Sequence, residues 1–429
     1  MRKICILILA FVLLVCMNSC NYSSNDSSKG EIYNEDDKHE AAEMTAPPTG
    51  VQSNQDGLIF ELNSTKDGYI LVRCDTKVVK SDIVIPDTFK GLPVTEIAET
   101  TYKPIIPETT TSIVLPNGLI KIGHSAFNSC KSLTEIVIPD SVKYIGGGAF
   151  RNCTSLKKVT LGSGITSIEA DTFEQCDALE GIKIPDGVVK IGSEAFFGSG
   201  IKTLELNSDL QEIGSQAFFS CSSLESVIIP SSVTQIGRDA FSNCYSLKSV
   251  VIGDGELNET TTLNFEYDSG FEGNSALESI VIQRNNVTIA GSLFDGSQKS
   301  LLSLSVNGKN NTISRNAFDE FTALKVVTLK GDILEIGESA FQSCSLETVT
   351  IDANVEVIRQ YAFLKTGIKK AYIGAGVKKI ESTCFTSYSF TENWKSSINI
   401  YCEAKQKPDE WAIDWTEEDK DIKVYWGQS

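Results

Sequence analysis

A phenylalanine recurs at a nearly constant interval along most of this chain. The successive intervals are 23, 23, 23, 22, 23, 30, 23, 24, 23, 22 and 22 residues. A fixed period of this length is typical of solenoids, in which each repeat forms one coil and neighbouring coils stack. The period therefore predicts one extended array rather than several separate domains. The marker phenylalanines are Phe127, Phe150, Phe173, Phe196, Phe218, Phe241, Phe271, Phe294, Phe318, Phe341, Phe363 and Phe385.

Each repeat has two parts. The first, as in Leu-Thr-Glu-Ile-Val-Ile at residues 133–138, alternates apolar and polar positions, which predicts a short strand with one buried face. Pro139 ends this strand because proline offers no backbone N–H. The second part turns the chain, brings Phe150 into the interior and carries Gly146, where we expect a positive φ. One coil cannot cover its own apolar side, so the stacking of coils creates the core.

Half of the twelve cysteines share one position in the repeat, three residues after a marker phenylalanine. Other coils have Ser199, Asn274, Ser297 or Thr366 there. These side chains are small and can donate a hydrogen bond, which favours a buried ladder of weak donors over disulfides. The chain has no CxxC spacing of the kind that binds zinc. The ladder cysteines are Cys130, Cys153, Cys176, Cys221, Cys244 and Cys344.

The charge and the histidine content exclude several classes of function. Lys and Arg number 38 against 56 Asp and Glu, so the net charge is −18 and no basic footprint for nucleic acid exists. Only His39 and His124 are available for catalytic or metal-binding roles. The serines and carboxylates fall on repeat positions that face solvent, which indicates no catalytic cleft. We therefore expect a non-enzymatic protein without a cofactor, a metal or a nucleic-acid partner.

The N-terminus has the features of a secretory signal. Two basic residues precede an apolar run at residues 4–15 that is too short to span a bilayer. The Ser-Cys pair that ends at Cys20 resembles the lipobox of bacterial lipoproteins. We interpret residues 1–20 as a lipoprotein signal peptide, with export across the inner membrane and a lipid anchor on Cys20 at the cell surface. Plain secretion and an uncleaved anchor are the alternatives.

The repeat carries a family resemblance. The pattern Leu-x-x-Ile-x-Ile-Pro-x-x-Val-x-x-Ile-Gly-x-x-Ala-Phe-x-x-Cys, best seen in residues 133–153 and 224–244, resembles the BspA-like, Treponema-type leucine-rich repeats of bacterial surface proteins. The likeness covers about residues 107–397. It implies a right-handed, mainly β solenoid of parallel strands stacked coil on coil, with short turns or helical segments. It also implies attachment to host matrix proteins such as fibronectin, or to other bacteria.

The segments outside the repeats have distinct roles. Residues 21–56 are polar and aperiodic, which predicts a disordered tether. Residues 57–106 keep a degenerate pattern and residues 398–429 follow the last repeat, so we expect terminal caps that cover the exposed strand edges. A lid on the last coil is the favoured interpretation of the tryptophans, and a sugar platform is the alternative. They are Trp394, Trp411, Trp415 and Trp426.

The candidate binding site lies where apolar residues occupy outward strand positions. Ile228, Val251 and Val281 fall on three successive coils and predict one exposed patch, with room for a partner beside Ser226, Ser249 and Ser279. The 30-residue interval adds an insertion at residues 253–270, which we expect to protrude beside this patch. The competing interpretations are an ordinary sheet surface, solvated decoration and a calcium site. The insertion supplies three further candidate contacts, Glu256, Phe265 and Tyr267.

These features together predict an adhesion-type protein. We expect a monomer, anchored to the membrane only through lipid, that binds a protein partner such as a host extracellular-matrix protein. A glycan-binding function would need exposed aromatic residues, and only Tyr372 occupies an outward strand position. A purely structural surface protein is the other alternative.

Overall fold

The computed structural model describes residues 51–101, 104–255, 261–385, 397–416 and 421–428. The right-handed, mainly β solenoid predicted from the sequence is confirmed, with parallel strands in about 15 stacked turns. A single short 3-10 helix, Glu266–Asp268, is found among these residues. None of the described helices is long and apolar enough to cross a membrane. Cys20, the signal peptide and the tether up to residue 50 lie outside the described residues.

Each coil contributes one strand to a parallel sheet that we call the front sheet. Alternation buries Ile136 and Ile138 and leaves Glu135 and Val137 exposed. The hydrogen-bonded pairing of the front strands is interrupted twice, so the front sheet has three segments. The last segment runs without interruption from residue 226 to residue 426. The front strands are Asp82–Val84, Ser112–Val114, Glu135–Val137, Lys158–Thr160, Gly181–Lys183, Thr203–Glu205, Ser226–Ile229, Ser249–Ile252, Ser279–Ile282, Ser303–Ile313, Val326–Ile336, Thr348–Ile358, Lys370–Ile373, Ile398–Cys402 and Ile422–Trp426.

A second row of short parallel strands, the back ladder, forms where the Ile-Gly pairs turn the chain. The three longest front strands, which start at residues 303, 326 and 348, extend into this row. Gly146 does not take the positive φ that we expected. A β-carbon there would lie 2.4 Å from the backbone nitrogen of His124 in the preceding coil, so close stacking of the coils requires the glycine. The back strands are Lys121–Ile122, Tyr144–Ile145, Ser167–Ile168, Lys190–Ile191, Glu212–Ile213, Gln235–Ile236, Asn264–Phe265 and Thr288–Ile289.

The marker phenylalanines form one column through the core. Neighbouring rings stack with centroids 4.8–6.3 Å apart from Phe127 to Phe385. The cysteine ladder runs beside it, and Cys153 Sγ donates to the carbonyl of Phe127 in the preceding coil at 3.2 Å. Asn274 takes the same role, since its amide donates to the Phe241 carbonyl at 3.0 Å. The predicted ladder of small buried donors is therefore confirmed.

The N-terminal end is closed by a cap of antiparallel strand pairs rather than by a further coil, and Tyr69–Cys74 joins this cap to the solenoid by pairing parallel with Leu92–Ile97. The ring of Phe60 stacks on Phe89 with centroids 4.5 Å apart, which covers the first coil. Gln52 and Ser53 pair with the next strand, although we had assigned them to the tether. Their backbone N–H and C=O groups are satisfied by pairing, so the ordered cap begins before residue 57. The strands are Gln52–Ser53, Leu58–Leu62, Tyr69–Cys74, Thr88–Phe89 and Leu92–Ile97.

The C-terminal end is closed by tryptophans, as the lid interpretation predicted. Trp415 meets Phe385, the last ring of the column, edge to face at 5.9 Å. Trp411 is buried beside it and donates its indole N–H to the Val377 carbonyl at 3.2 Å. Trp426 completes the cluster, with its centroid 5.9 Å from that of Trp411. Trp394 lies outside the described residues.

Candidate binding surface

The predicted patch forms in register on the front sheet. Ile228 lies opposite Val251, and Val251 lies opposite Val281 on the next coil. The three serines pair in the same way, so the six strand residues are brought together as expected. Ile228 is 59% exposed, whereas the two valines are half-buried. The patch therefore consists of the projecting side chain of Ile228 beside two valine side chains that are less exposed.

The insertion does not place its aromatic residues beside this patch. Phe265 pairs with Ile236 in the back ladder and packs against the core, where its ring meets Phe271 at 6.3 Å. The prediction that Phe265 protrudes is wrong, because the residue fills the apolar position that isoleucine holds in other coils. Tyr267 is 83% exposed next to Arg238, in the turn that follows the back ladder. Glu256 lies outside the described residues.

A fully buried arginine fastens the insertion to the solenoid. Arg284 follows the strand Ser279–Ile282, and its guanidinium donates to the carbonyls of Val233 at 2.6 Å and Thr261 at 3.1 Å. A buried guanidinium needs such acceptors, because an unmatched charge would be costly. Sequence reasoning missed this residue. The available signal was an arginine in a turn where other coils have small or acidic residues.

The front sheet carries a second apolar row near its N-terminal end. Val84, Val114 and Val137 occupy the outward position on three successive coils and are 64%, 58% and 63% exposed. Val84 pairs directly with Val114. This row was not identified from the sequence, because Val84 and Val114 lie before the first marker phenylalanine.

Three stacked tyrosines occupy the C-terminal end of the same outward row. Tyr372 lies opposite Tyr401, and Tyr401 lies opposite Tyr425, with ring centroids 5.2 Å and 5.1 Å apart. The planes differ by only 17° and 13°. Tyr372 was identified from the sequence as an outward residue, and Tyr401 and Tyr425 were not. We call these residues the tyrosine stack.

A pocket of about 350 Å³ lies against the tyrosine stack. Gly374 lies between Asp352 and Glu403 on the neighbouring strands, so the missing side chain leaves a notch between two carboxylates. Glu403 Oε2 accepts from the Ala375 N–H at 3.0 Å, which fixes one wall. The lining residues are Thr350, Ile351, Asp352, Tyr372, Ile373, Gly374, Tyr401, Glu403 and Gln428.

Three carboxylates gather on the turns of adjacent coils. Asp171, Glu174 and Glu194 place ligand atoms within 4.8 Å of one another and could hold a metal ion. Arg151 already donates to Glu174 Oε1 at 2.9 Å. Burial raises the pKa of Glu174, and the pKa of Glu194 is raised by burial and by the charge of Asp171. The sequence pattern predicts no metal site here, because Asp171 and Glu194 hold equivalent positions 23 residues apart and meet only when two coils stack.

The coil length, the parallel front sheet and the uncovered outer face define a leucine-rich-repeat protein. The family model described as "BspA type Leucine rich repeat region (6 copies)" matches residues 95–218, 148–270 and 266–393. These ranges span more than half of the chain, and the protein belongs to this family.

Several solved structures are similar to this chain. A leucine rich cell surface protein from Faecalibacterium prausnitzii is 22% identical, covers 79% of this chain and 93% of its own, and gives a TM-score of 0.44. The T. pallidum leucine rich repeat protein is 25% identical over 58% of this chain and 88% of its own, with a TM-score of 0.31. The pneumococcal vaccine antigen PcpA is 18% identical, covers 87% of this chain and 98% of its own, and gives a TM-score of 0.35. No curated protein matches by sequence.

Proposed function

We propose that this protein is a non-enzymatic, lipid-anchored surface protein that binds another protein through the middle of its front sheet. The observation that carries this proposal is the exposed side chain of Ile228, which projects from a rigid strand with Val251 and Val281 in register beside it. An uncovered apolar group on an ordered sheet gains free energy when a partner removes it from water.

The surroundings of Ile228 suit a protein partner. Ser226, Ser249 and Ser279 form a row of small polar groups beside the patch, so a partner backbone can approach closely and find hydrogen-bonding groups. The net charge of −18 disfavours nucleic acid and anionic lipid as partners. Host extracellular-matrix proteins are the partner class that we propose.

The proposed location is the bacterial cell surface, with a lipid on Cys20. The signal-like N-terminus supports it, and so does the similar F. prausnitzii protein, which is described as a cell surface protein. Changing Cys20→Ala should move the protein from the membrane fraction of the native host to the medium or to uncleaved precursor. Unchanged membrane attachment of the variant would contradict the lipid anchor.

The binding proposal is tested with the full chain after signal cleavage and immobilised matrix proteins, fibronectin among them. Ile228→Asp combined with Val251→Thr and Val281→Thr should weaken binding at least tenfold by surface plasmon resonance. Threonine is used at the two half-buried positions because it keeps the shape of valine. Circular dichroism should be unchanged.

Val137→Asp is the matched control, since Val137 is equally exposed on the same sheet face. It should retain the affinity of the unchanged protein. If only Val137→Asp lost binding, the site would be assigned instead to the second apolar row, formed by Val84, Val114 and Val137. Equal affinity of the unchanged protein and both variants would contradict the proposal that this patch binds the partner.

A further inference from the structure

The pocket beside the tyrosine stack is a second site with a chemistry of its own. It lies at the C-terminal end of the front sheet, on strands Lys370–Ile373 and Ile398–Cys402 and their neighbours. Its volume of about 350 Å³ falls in the range of about 300–1,000 Å³ that is usual for small-molecule sites. The β-branched patch contributes none of its lining residues.

The aromatic wall of this pocket has an uncovered end. The outward row runs through Thr328 and Thr350 before it reaches Tyr372. Thr350 is too short to cover the ring that lies opposite it, and Tyr372 is 41% exposed. Tyr401 and Tyr425 stack behind this ring and hold it in place. A fixed aromatic ring with a free, electron-rich face can receive the apolar C–H face of a sugar ring.

Hydrogen-bonding groups of both kinds flank the tyrosines. On one side, Asp352 and Glu403 border the notch at Gly374 and offer acceptors. On the other side, Lys370 and Lys423 lie in register with Asn399 and offer donors. Each hydroxyl of a saccharide both donates and accepts, so this mixture of groups matches it better than a surface of one sign would.

The local charges also decide between classes of ligand. Lys330 lies in register with Asp352, and Lys370 and Lys423 lie beyond the tyrosines, so positive and negative groups alternate around the site. Neither a strongly basic nor a strongly acidic partner gains much from such a mixed field. The side-chain carboxylate of Asp352 forms no ion pair or hydrogen bond with the other described residues. Its carboxylate is therefore available to a ligand hydroxyl in the notch.

We infer that this pocket binds a neutral oligosaccharide, with one sugar ring on Tyr372 and its hydroxyl groups in the notch between Asp352 and Glu403. This site goes beyond the proposed protein-binding function and does not depend on it. A protein with both sites would hold a partner surface and a glycan at two places on one rigid sheet.

The test is an array of immobilised neutral, sialylated and sulfated oligosaccharides, probed with the full chain after signal cleavage. Neutral glycans should be retained, and the affinity for the best array glycan is then measured by titration calorimetry. Tyr372→Ala should weaken it at least tenfold. Gly374→Ser should do the same by filling the notch. Gly374 has no positive φ, and the new β-carbon would lie 3.1 Å from the Ile351 carbonyl oxygen, so circular dichroism should confirm that the fold is kept.

Two variants keep the outcome interpretable. Tyr267→Ala removes an exposed tyrosine elsewhere and should leave glycan affinity unchanged. Ile228→Asp should also leave it unchanged, which separates this site from the proposed protein-binding patch. Retention of no glycan by the unchanged protein would overturn the inference, as would full affinity in both pocket variants. Capture of an oligolysine peptide, lost in Asp352→Asn, would overturn it in favour of a basic partner.

Discussion

The front sheet presents two different surfaces, one in its middle and one at its C-terminal end. In the middle, the strands on either side of the insertion place Ile228, Val251 and Val281 in one row. At the end, strands of the last coils and the cap place Tyr372, Tyr401 and Tyr425 in the same row. The first surface is aliphatic with a serine border, whereas the second is aromatic with charged borders.

The two surfaces show that the same register position can carry unrelated chemistry. The inward residues of both regions are apolar and interchangeable, because they meet the same core. The outward residues meet only solvent and one another, so the packing of the core does not restrict them. Functional differences along the sheet are therefore to be sought in the outward row alone, and four experiments test this comparison.

The largest effect is expected in the phenylalanine column beneath both surfaces. Phe241→Ala and Phe363→Ala each remove a fully buried ring between two stacked neighbours, so each should lower the free energy of unfolding by about 3–5 kcal/mol. Urea unfolding is followed by circular dichroism for the whole chain. Tryptophan fluorescence reports the C-terminal end, since all four tryptophans lie at residues 394–426.

The two signals should shift together in both variants, because one continuous sheet joins the middle and the end. If Phe241→Ala shifts the dichroism and leaves the fluorescence transition in place, the two regions unfold independently, as repeat arrays can. Tyr267→Ala is the control, and an exposed residue of this kind should change stability by less than about 0.5 kcal/mol.

Arg284→Met is expected to have the next largest effect, and the contacts that it removes lie in the middle region. It leaves the carbonyls of Val233 and Thr261 without their donor, which should cost about 2–3 kcal/mol in urea unfolding. Arg315→Met is the matched control, because Arg315 is exposed and paired with Glu338, and it should cost less than about 1 kcal/mol. Equal effects of the two changes would mean that Arg284 does not anchor the insertion.

The sequence was sufficient for the parts of the fold where one steric requirement recurs in every coil. The phenylalanine column, the cysteine ladder and the register of Ile228 with its neighbours all follow from the period. The sequence indicated that Gly146 is required, but the requirement was attributed to a positive φ that the residue does not have. Its role is close contact with the preceding coil, and a distance between coils is not visible in one repeat.

The sequence was not sufficient where the period breaks. Lys370 and Asn399 are paired although 29 residues separate them, so Tyr401 could not be placed in register beforehand. The seven extra residues of the insertion hid the core position of Phe265. The carboxylates of Asp171 and Glu174 meet Glu194 only because the two coils stack. Such contacts depend on the fold rather than on local pattern.

Tyr401→Ser and Val251→Ser compare the two surfaces directly. Tyr401 stacks on a ring at each side, so its loss should cost about 1–2 kcal/mol, whereas Val251→Ser should cost about 0.5–1 kcal/mol. A double-mutant cycle should give a coupling energy of about 0.5–1.5 kcal/mol for Tyr372 with Tyr401. The same cycle for Ile228 and Val251 should give a smaller coupling energy. Coupling near zero for the tyrosines would show that the stack is not rigid.

The smallest effect is expected outside the front sheet, at the acidic cluster. Burial and the charge of Asp171 raise the pKa of Glu194 above its ordinary value of 4.5, so the folded protein binds this proton more tightly than the unfolded chain does. The contribution of Glu194 to the free energy of unfolding is therefore fully present below about pH 4.5, and it is lost as the pH rises through the raised pKa. Glu194→Gln removes the charge and its penalty.

Glu194→Gln should consequently be more stable than the unchanged protein at pH 7, by less than about 1 kcal/mol because the group is partly exposed to solvent. The difference should disappear at pH 4, where the carboxyl group is protonated in both states. Urea unfolding at the two pH values measures it, with Glu135→Gln on the exposed front sheet as the control. A stabilisation of the same size in Glu135→Gln would attribute the effect to net charge, and the cluster would then be no different from the sheet surface.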